Sequence, residues 1–450
     1  MAIFVAVLCV MAMVICVPLV VLKPKWVFYT FLTFVTFSTI FTGYIYEAGN
    51  LGMPRTWSPA DILAWLTLAA VLFVPRERQY GSGVIGKCFI VIILVTAFSL
   101  MQGLLMYTYT AFTYSRTAHF VAAMIFGLRY FTNYSRVNGF LKFSVVLLLV
   151  MFFLHVLIRF GLFTPPSAEI EFDTQLLGER GTYSLVPLLY LVLVSIAIGR
   201  LVSGVGFSLI SVAALLIGAS GIVLSETRSM YGAMGVLAIA SVVFVRGRGK
   251  TLIVYCLAAL IVAGVATAIG FDVLARFRSD PASGAGGVEM PRLFQEGTWR
   301  AVEYETIISS YKKEPYFILT GRGTGAMHPV PAGKESERGF YHSEYLSWWD
   351  RCGLIGLVTV LVLLLATLVR SLALSKSDIP YMRYYGATCF LLMIALAADG
   401  VFHPIFSNPR GASLLICFAA ILANWQDIYL SFYQEQEVLE EAAAEDFAYA

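Results

Sequence analysis

The chain has 450 residues, a formal net charge of +3, and 59% hydrophobic against 13% charged residues. Soluble proteins carry about 25% charged residues, so this composition excludes an ordinary water-soluble domain. The basic residues sit in short stretches between apolar runs, which excludes a nucleic-acid-binding patch and leaves no nucleic acid among the expected partners.

The apolar residues come in blocks of about 20, the length that crosses a hydrocarbon layer of about 30 Å. Lipid offers the backbone no hydrogen bonds, so these blocks are expected as helices and the fold as all-α and polytopic. In chain order the expected spans are 2–22, 26–46, 59–75, 88–106, 111–131, 139–163, 183–203, 206–225, 229–245, 251–271, 353–373, 382–402 and 411–429, about 12 or 13 helices in all. The first block is apolar from residue 2 with no basic stretch before it, so it reads as a retained span rather than a cleaved signal peptide. All the cysteines but Cys352 fall inside apolar runs and none forms a CxxC pair; they read as small buried hydrophobes.

Lys and Arg in short loops set the orientation. Lys23 and Lys25; Arg76, Arg78 and Lys87; Arg129, Arg136 and Lys142; Arg200; Arg246, Arg248 and Lys250; and Arg370, Lys376 and Arg383 fall at every second loop and mark the cytoplasmic side. The N-terminus, the acidic segment 164–182 and the long polar segment 272–352 are then expected outside, and the C-terminus inside. Glu169, Glu171 and Asp173 alternate as if on one strand face, a donor set that could hold a divalent cation. The expected organisation is a transmembrane bundle over 1–271, an outer loop over 272–352, C-terminal spans over 353–430 and an acidic tail over 431–450.

The outer loop is far longer than a connection needs, and loops of that length are commonly functional. Within it RAVEYETIISSYKK (300–313) places Tyr304, Ile307, Ile308 and Tyr311 on a helical stripe, with Arg300 one turn earlier and Pro315 as the stop. The stripe predicts a helix that lies at the interface or packs on the outer helix ends. DPASGAGG (280–287) upstream is Gly-rich, and GRGTG (321–325) downstream lets the backbone turn.

Charges at membrane depth are costly and tend to be functional. Arg228 sits between two spans with almost no loop; it either snorkels, pairs with Glu226, or faces a ligand. His342 stands where the outer loop enters the membrane. Arg228, Arg300 and His342 are expected at one level on one side. Two guanidiniums can chelate a diphosphate, and a neutral imidazole can take a proton from a hydroxyl. Asp399 and His403, near the outer end of span 382–402, are secondary candidates, as is Glu344 beside His342. Arg292 and Arg322, with Arg276 and Arg278, could add positive field around a phosphate. His155 and Arg159, one turn apart, touch either a ligand or a neighbouring helix.

Three segments carry a resemblance. SETRSMYGAMGVLA holds Arg228 at the start of a helix. WRAVEYETIISSYKKEPYFILTGRGTG holds Arg300, then Tyr304 where a Trp is usual, then Gly321 and Gly323. HSEYLSWWDRCGLIGL holds His342, Leu346, Gly353 and Gly356, with Ser343 where an Asn is usual. Over roughly 205–425 the chain resembles the O-antigen ligase and polymerase superfamily. That resemblance implies a GT-C-like helical fold and residence in a bacterial inner membrane with the site facing the periplasm. It implies an undecaprenyl-diphosphate-linked oligosaccharide donor and inverting transfer without a metal or other cofactor. The acceptor would be a second lipid-linked glycan or lipid A-core; a flippase and a chain-length regulator would be companion proteins. Arg228 and Arg300 would bind the diphosphate and His342 would be the base. The HSEYL form leans towards a polymerase of O-antigen or exopolysaccharide. The competing reading is a transporter or lipid-linked glycan flippase. That reading expects polar residues through mid-membrane or paired broken spans, neither of which the sequence shows.

Overall fold

A computed structural model describes residues 2–38, 58–75, 83–108, 111, 119–160, 162, 188–205, 209–225, 228–244, 299–326, 328–329, 337–338, 343–401, 403, 405 and 409–434. Helices stand at every expected span except 251–271, which lies outside the described residues, as do 164–182 and 280–287. In chain order they are α1 (Ala2–Leu22), α2 (Pro24–Thr36), α3 (Pro59–Ala70, extended by a 3-10 turn at Val71–Phe73), α4 (Gly83–Tyr107), α5 (His119–Tyr130), α6 (Tyr134–Arg159), α7 (Leu189–Ser203), α8 (Leu209–Leu224) and α9 (Arg228–Phe244). Then follow α10 (Trp299–Lys313), the single turn α11 (Phe317–Thr320), α12 (Glu344–Ser375), α13 (Pro380–Asp399) and α14 (Pro409–Ala423). A last helix, α15, is Trp425–Gln434. The fold is that of an all-α polytopic membrane protein. Among the described residues four helices are long and apolar enough to cross a membrane, five if the bent pair α14–α15 is one span, and several others are shorter apolar helices.

Local sequence explains the helix ends. Pro opens α2, α3 and α13, where the missing N–H is no loss. At α3 the Ser58 N–H donates to the Asp61 carboxylate at 2.7 Å, and at α6 the Asn133 side chain accepts the Arg136 N–H at 3.0 Å. The arginines read as cytoplasmic close the C-terminal ends of helices. Arg129 donates to the carbonyl of Val74 at 3.2 and 3.3 Å, Arg136 to that of Tyr130 at 3.3 Å, and Arg383 to that of Ser203 at 3.1 Å. Each cation meets a carbonyl left without a helical partner, at the negative end of a helix dipole.

α13 is the centre of the C-terminal half. It packs against α7, α9 and α12, and most of its side chains are buried. α4 lies against α12, and α14 against α5.

The structure departs from the expected elements in three places. First, α12 begins at Glu344, not at 353, and joins two helical stretches across a kink. Its first turns are divided from the expected span at Gly353, where φ is 65°. Second, the span expected at 411–429 is bent by 67° between Ala423 and Trp425. The side chain of Asn424 at the bend donates to the carbonyl of Leu128 at 2.8 Å, which fixes the turn in place. Third, a two-residue antiparallel pair, His328–Pro329 with Glu337–Arg338, lies within the segment 272–352.

Candidate functional site

Three helix ends meet at one end of the bundle: the starts of α9 and α12 and the end of α13. The backbone N–H of Glu344 donates to the carbonyl of Gly400 at 2.9 Å, and the Ser343 hydroxyl reaches the same carbonyl at 3.4 Å. One residue on, the Tyr345 hydroxyl donates to the carbonyl of Ala397 at 2.7 Å. The first turn of α12 is thus fastened to the last turn of α13. The start of α9 is fastened to the same place through its second residue, because Ser229 Oγ lies 2.7 Å from His403 Nδ1.

His403 is the hub of this junction. Its Nδ1 also lies 3.0 Å from Asp399 Oδ1, one turn back on α13. The ring is 38% exposed and the Asp399 side chain is fully enclosed, at 0%. The second carboxylate oxygen, Asp399 Oδ2, is buried and meets no donor among the described residues. A buried carboxylate against one nitrogen of a partly open imidazole orients the ring and fixes which nitrogen carries its proton.

Helix α10 docks beside this junction by one line of side chains. Ile307 and Tyr311 pack with Phe317, Leu346 and Trp349, and the Tyr311 hydroxyl donates to the carbonyl of Trp349 at 3.0 Å. Burial pushes the Tyr311 phenol up from its ordinary value; the Asp350 carboxylate adds to the shift and the Arg322 guanidinium opposes it. The expected stripe is half right. Ile307 and Tyr311 are buried at 1% and 6%, whereas Tyr304 and Ile308 are exposed at 50% and 47%.

The GRGTG segment forms a wedge between α4 and the bend in α12. At Gly353 the helix carbonyls of Asp350 and Arg351 are released, and they accept the N–H groups of Arg322 at 2.6 Å and Gly323 at 3.2 Å. On the other side the Thr324 N–H donates to the Ser99 carbonyl at 2.9 Å, Gln102 donates to the Gly321 carbonyl at 3.0 Å, and Ser99 Oγ lies 3.0 Å from Thr324 Oγ1. Both contacts need glycine. A Cβ at Gly103 would lie 1.9 Å from the Thr324 carbonyl oxygen, and one at Gly353 would lie 2.0 Å from that of Leu319. Arg322 and Asp350 close the wedge with a paired ionic contact, Nε to Oδ1 at 2.6 Å and Nη2 to Oδ2 at 2.9 Å.

The expected site residues fall as follows. Arg228 is the first residue of α9 and Arg300 the second of α10, their side chains lying outside what the structure describes. His342 and Arg292 lie outside the described residues, but Ser343, which follows His342, is held on Gly400. Ser229 and Ser343, the residues that follow Arg228 and His342, thus meet at one junction. Asp399 and His403 are there too. Glu344 is buried and accepts the indole N–H of Trp348 at 2.5 Å. Arg322 faces Asp350 in the wedge. His155 is buried with its Nδ1 2.9 Å from the Tyr190 hydroxyl, a contact between α6 and α7.

Sequence reasoning missed two features. Ser229 carried no signal beside Arg228 apart from its place at a helix start. Asp61 and His119 form a pair, Oδ1 to Nε2 at 2.8 Å, between the starts of α3 and α5. Phe120, next to His119, packs edge-on against Trp348, with ring centres 6.1 Å apart. That pair was findable only as a rare His at one helix start and an Asp at another.

A protein-family model described as O-Antigen ligase matches residues 212–361, about a third of the chain. The match runs from α8 past the bend in α12 and takes in Arg228, Arg300 and His342. No curated protein matches the chain. Over residues 212–361 the chain is thus similar to the O-Antigen ligase family, and the match falls on helices that converge at the junction.

Proposed function

We propose that the protein is an inverting, metal-independent glycosyltransferase of the bacterial inner membrane. It transfers or polymerises glycan from an undecaprenyl-diphosphate-linked oligosaccharide at a site facing the periplasm. The observation that carries this reading is the junction of α9, α12 and α13, which brings the position after Arg228 and the position after His342 onto one α13 terminus.

In this reading Arg228 and Arg300 hold the donor diphosphate. A guanidinium stays charged at any working pH and offers two parallel donors to phosphate oxygens. The N-terminal end of α9 adds its own partial positive charge at the place where Arg228 begins the helix. The acceptor hydroxyl attacks the anomeric carbon from the side opposite the diphosphate. The new carbon–oxygen bond forms as the bond to the diphosphate breaks, and undecaprenyl diphosphate leaves with the electron pair. His342 takes the hydroxyl proton, which raises the nucleophilicity of an otherwise weak attacking group. The Arg322–Asp350 wedge keeps α10, and with it Arg300, in register with the start of α12.

Purified protein in nanodiscs, supplied with lipid-linked oligosaccharide and either a second lipid-linked repeat or lipid A-core, tests the reading. Formation of an elongated or ligated product with release of undecaprenyl diphosphate is expected. Movement of the lipid-linked glycan between leaflets with no new glycosidic bond would replace it by the flippase reading.

A further inference from the structure

The function above gives the attacking hydroxyl its base but leaves the rest of the acceptor sugar unheld. We propose that His403 binds a second hydroxyl of the acceptor sugar, beside the attacking one, through Nε2, and that Asp399 and Ser229 hold the ring for this purpose. The inference rests on the glycosyl-transfer reading and adds a residue to it.

A carboxylate can only accept, so the His403 Nδ1 that lies 3.0 Å from Asp399 Oδ1 carries the proton. Ser229 Oγ, 2.7 Å from the same nitrogen, shares that proton and closes the inner edge of the ring. In the neutral ring Nε2 then presents a lone pair. The two ends of the dyad differ in access: Asp399 is enclosed and His403 is partly open. The inner edge is therefore anchored and the outer edge faces whatever enters the junction. Asp399 Oδ2, buried with no donor among the described residues, leaves the carboxylate charge concentrated on this one contact. The anchor is shared with the assigned machinery. Ser229 follows Arg228 directly, and Gly400, next to Asp399, holds Ser343 and Glu344 directly after His342. A donor sugar held at Arg228 and an acceptor approached by His342 meet beside His403. The ligand class is a sugar hydroxyl next to the attacking one, which donates to Nε2 and so holds the acceptor ring while the attacking hydroxyl gives its proton to His342.

The test is acceptor kinetics at saturating lipid-linked donor on purified full-length protein, with undecaprenyl diphosphate as the probe of donor-site binding. His403→Phe should raise the acceptor KM at least tenfold and leave undecaprenyl diphosphate affinity within about twofold. Asp399→Asn should do the same, because an amide can donate to Nδ1 and shift the ring proton to Nε2, which can then no longer accept. Ser229→Ala, which removes one oxygen, should raise the acceptor KM by about two- to fivefold; it keeps the proposal testable if the other two variants fail to fold. A structural role alone would lower the amount of folded protein without moving KM. Unchanged acceptor KM in folded His403→Phe or Ser229→Ala overturns this assignment while the function stands. Loss of undecaprenyl diphosphate binding in His403→Phe moves the residue to the donor and also overturns it. Wild-type protein with no transfer overturns the function and this inference together.

Discussion

Arg322 and Asp350 face each other in a two-point contact, with Nε to Oδ1 at 2.6 Å and Nη2 to Oδ2 at 2.9 Å, while the Arg322 N–H donates to the Asp350 carbonyl. The two side chains are 11% and 3% exposed. An arginine that the sequence offered as a phosphate ligand thus joins the GRGTG segment to the first turns of α12. Breaking a buried pair by removing one partner costs about 3–5 kcal/mol, because the other charge stays enclosed. Arg322→Ala should therefore lower the thermal midpoint of the purified protein and the amount recovered from membranes. Wild-type stability with a selective loss of undecaprenyl diphosphate affinity would instead put Arg322 on the donor.

Gly353 and Gly103 should be intolerant of even one carbon. At Gly353 the backbone is in the left-handed region, φ 65°, and an added Cβ meets the Leu319 carbonyl at 2.0 Å. That conformation, essentially confined to glycine at its ψ of −167°, costs about 1–3 kcal/mol for a residue with a Cβ, and the contact forces segment 319–324 away. Gly103→Ala forces Thr324 away from the other side. Both variants should expose the segment to protease while the spans stay resistant. Wild-type protease resistance in both would show that the wedge is not held as described.

Tyr311 should matter and Tyr304 should not. The Tyr311 hydroxyl donates to the Trp349 carbonyl from a buried position, so Tyr311→Phe should weaken the docking of α10 by about 1 kcal/mol. Tyr304, half exposed, should be replaceable by Phe without effect on stability. The pH dependence follows from the raised phenol of Tyr311. A released phenol ionises near pH 10 and the docked one later. Docking is therefore at full strength below about pH 10 and weakens as pH rises above it. Hydrogen exchange across 299–313 should quicken there in wild type more than in Tyr311→Phe. Equal alkaline behaviour in both would remove Tyr311 as the cause.

What the sequence made legible follows physical range. The apolar blocks marked the helices because burial in lipid acts on every residue of a block. RAVEYETIISSYKK announced α10 for a related reason, its period. The same period could not say which edge of the stripe meets the bundle, and the answer, Ile307 and Tyr311 rather than Tyr304 and Ile308, depends on where Leu346 and Trp349 lie. The division of α12 at Gly353 depends on Leu319, and the bend at Asn424 on the carbonyl of Leu128; neither partner is near in sequence. Arg228, Arg300 and His342 stood out as charges where charges are costly, and the family match covers all three. Ser229 and the Asp61–His119 pair did not stand out, since their meaning lies wholly in the partners that folding supplies.

Arg228 is proposed to act through its planar fork. Arg228→Lys keeps the charge and loses the paired geometry, so transfer should fall at least tenfold, about 1.4 kcal/mol of transition-state stabilisation. Full glycan output from Arg228→Ala at normal membrane levels would remove this residue from the site.

The central claim is that His342 takes the acceptor proton, and one measurement reaches it most directly. Undecaprenyl diphosphate binding and glycan transfer are measured separately on purified His342→Gln. Glutamine keeps hydrogen-bonding capacity but cannot accept the proton, and a general base contributes roughly 100- to 10,000-fold. The account predicts wild-type binding with transfer reduced by at least about 100-fold. Transfer at the wild-type rate by His342→Gln would contradict it.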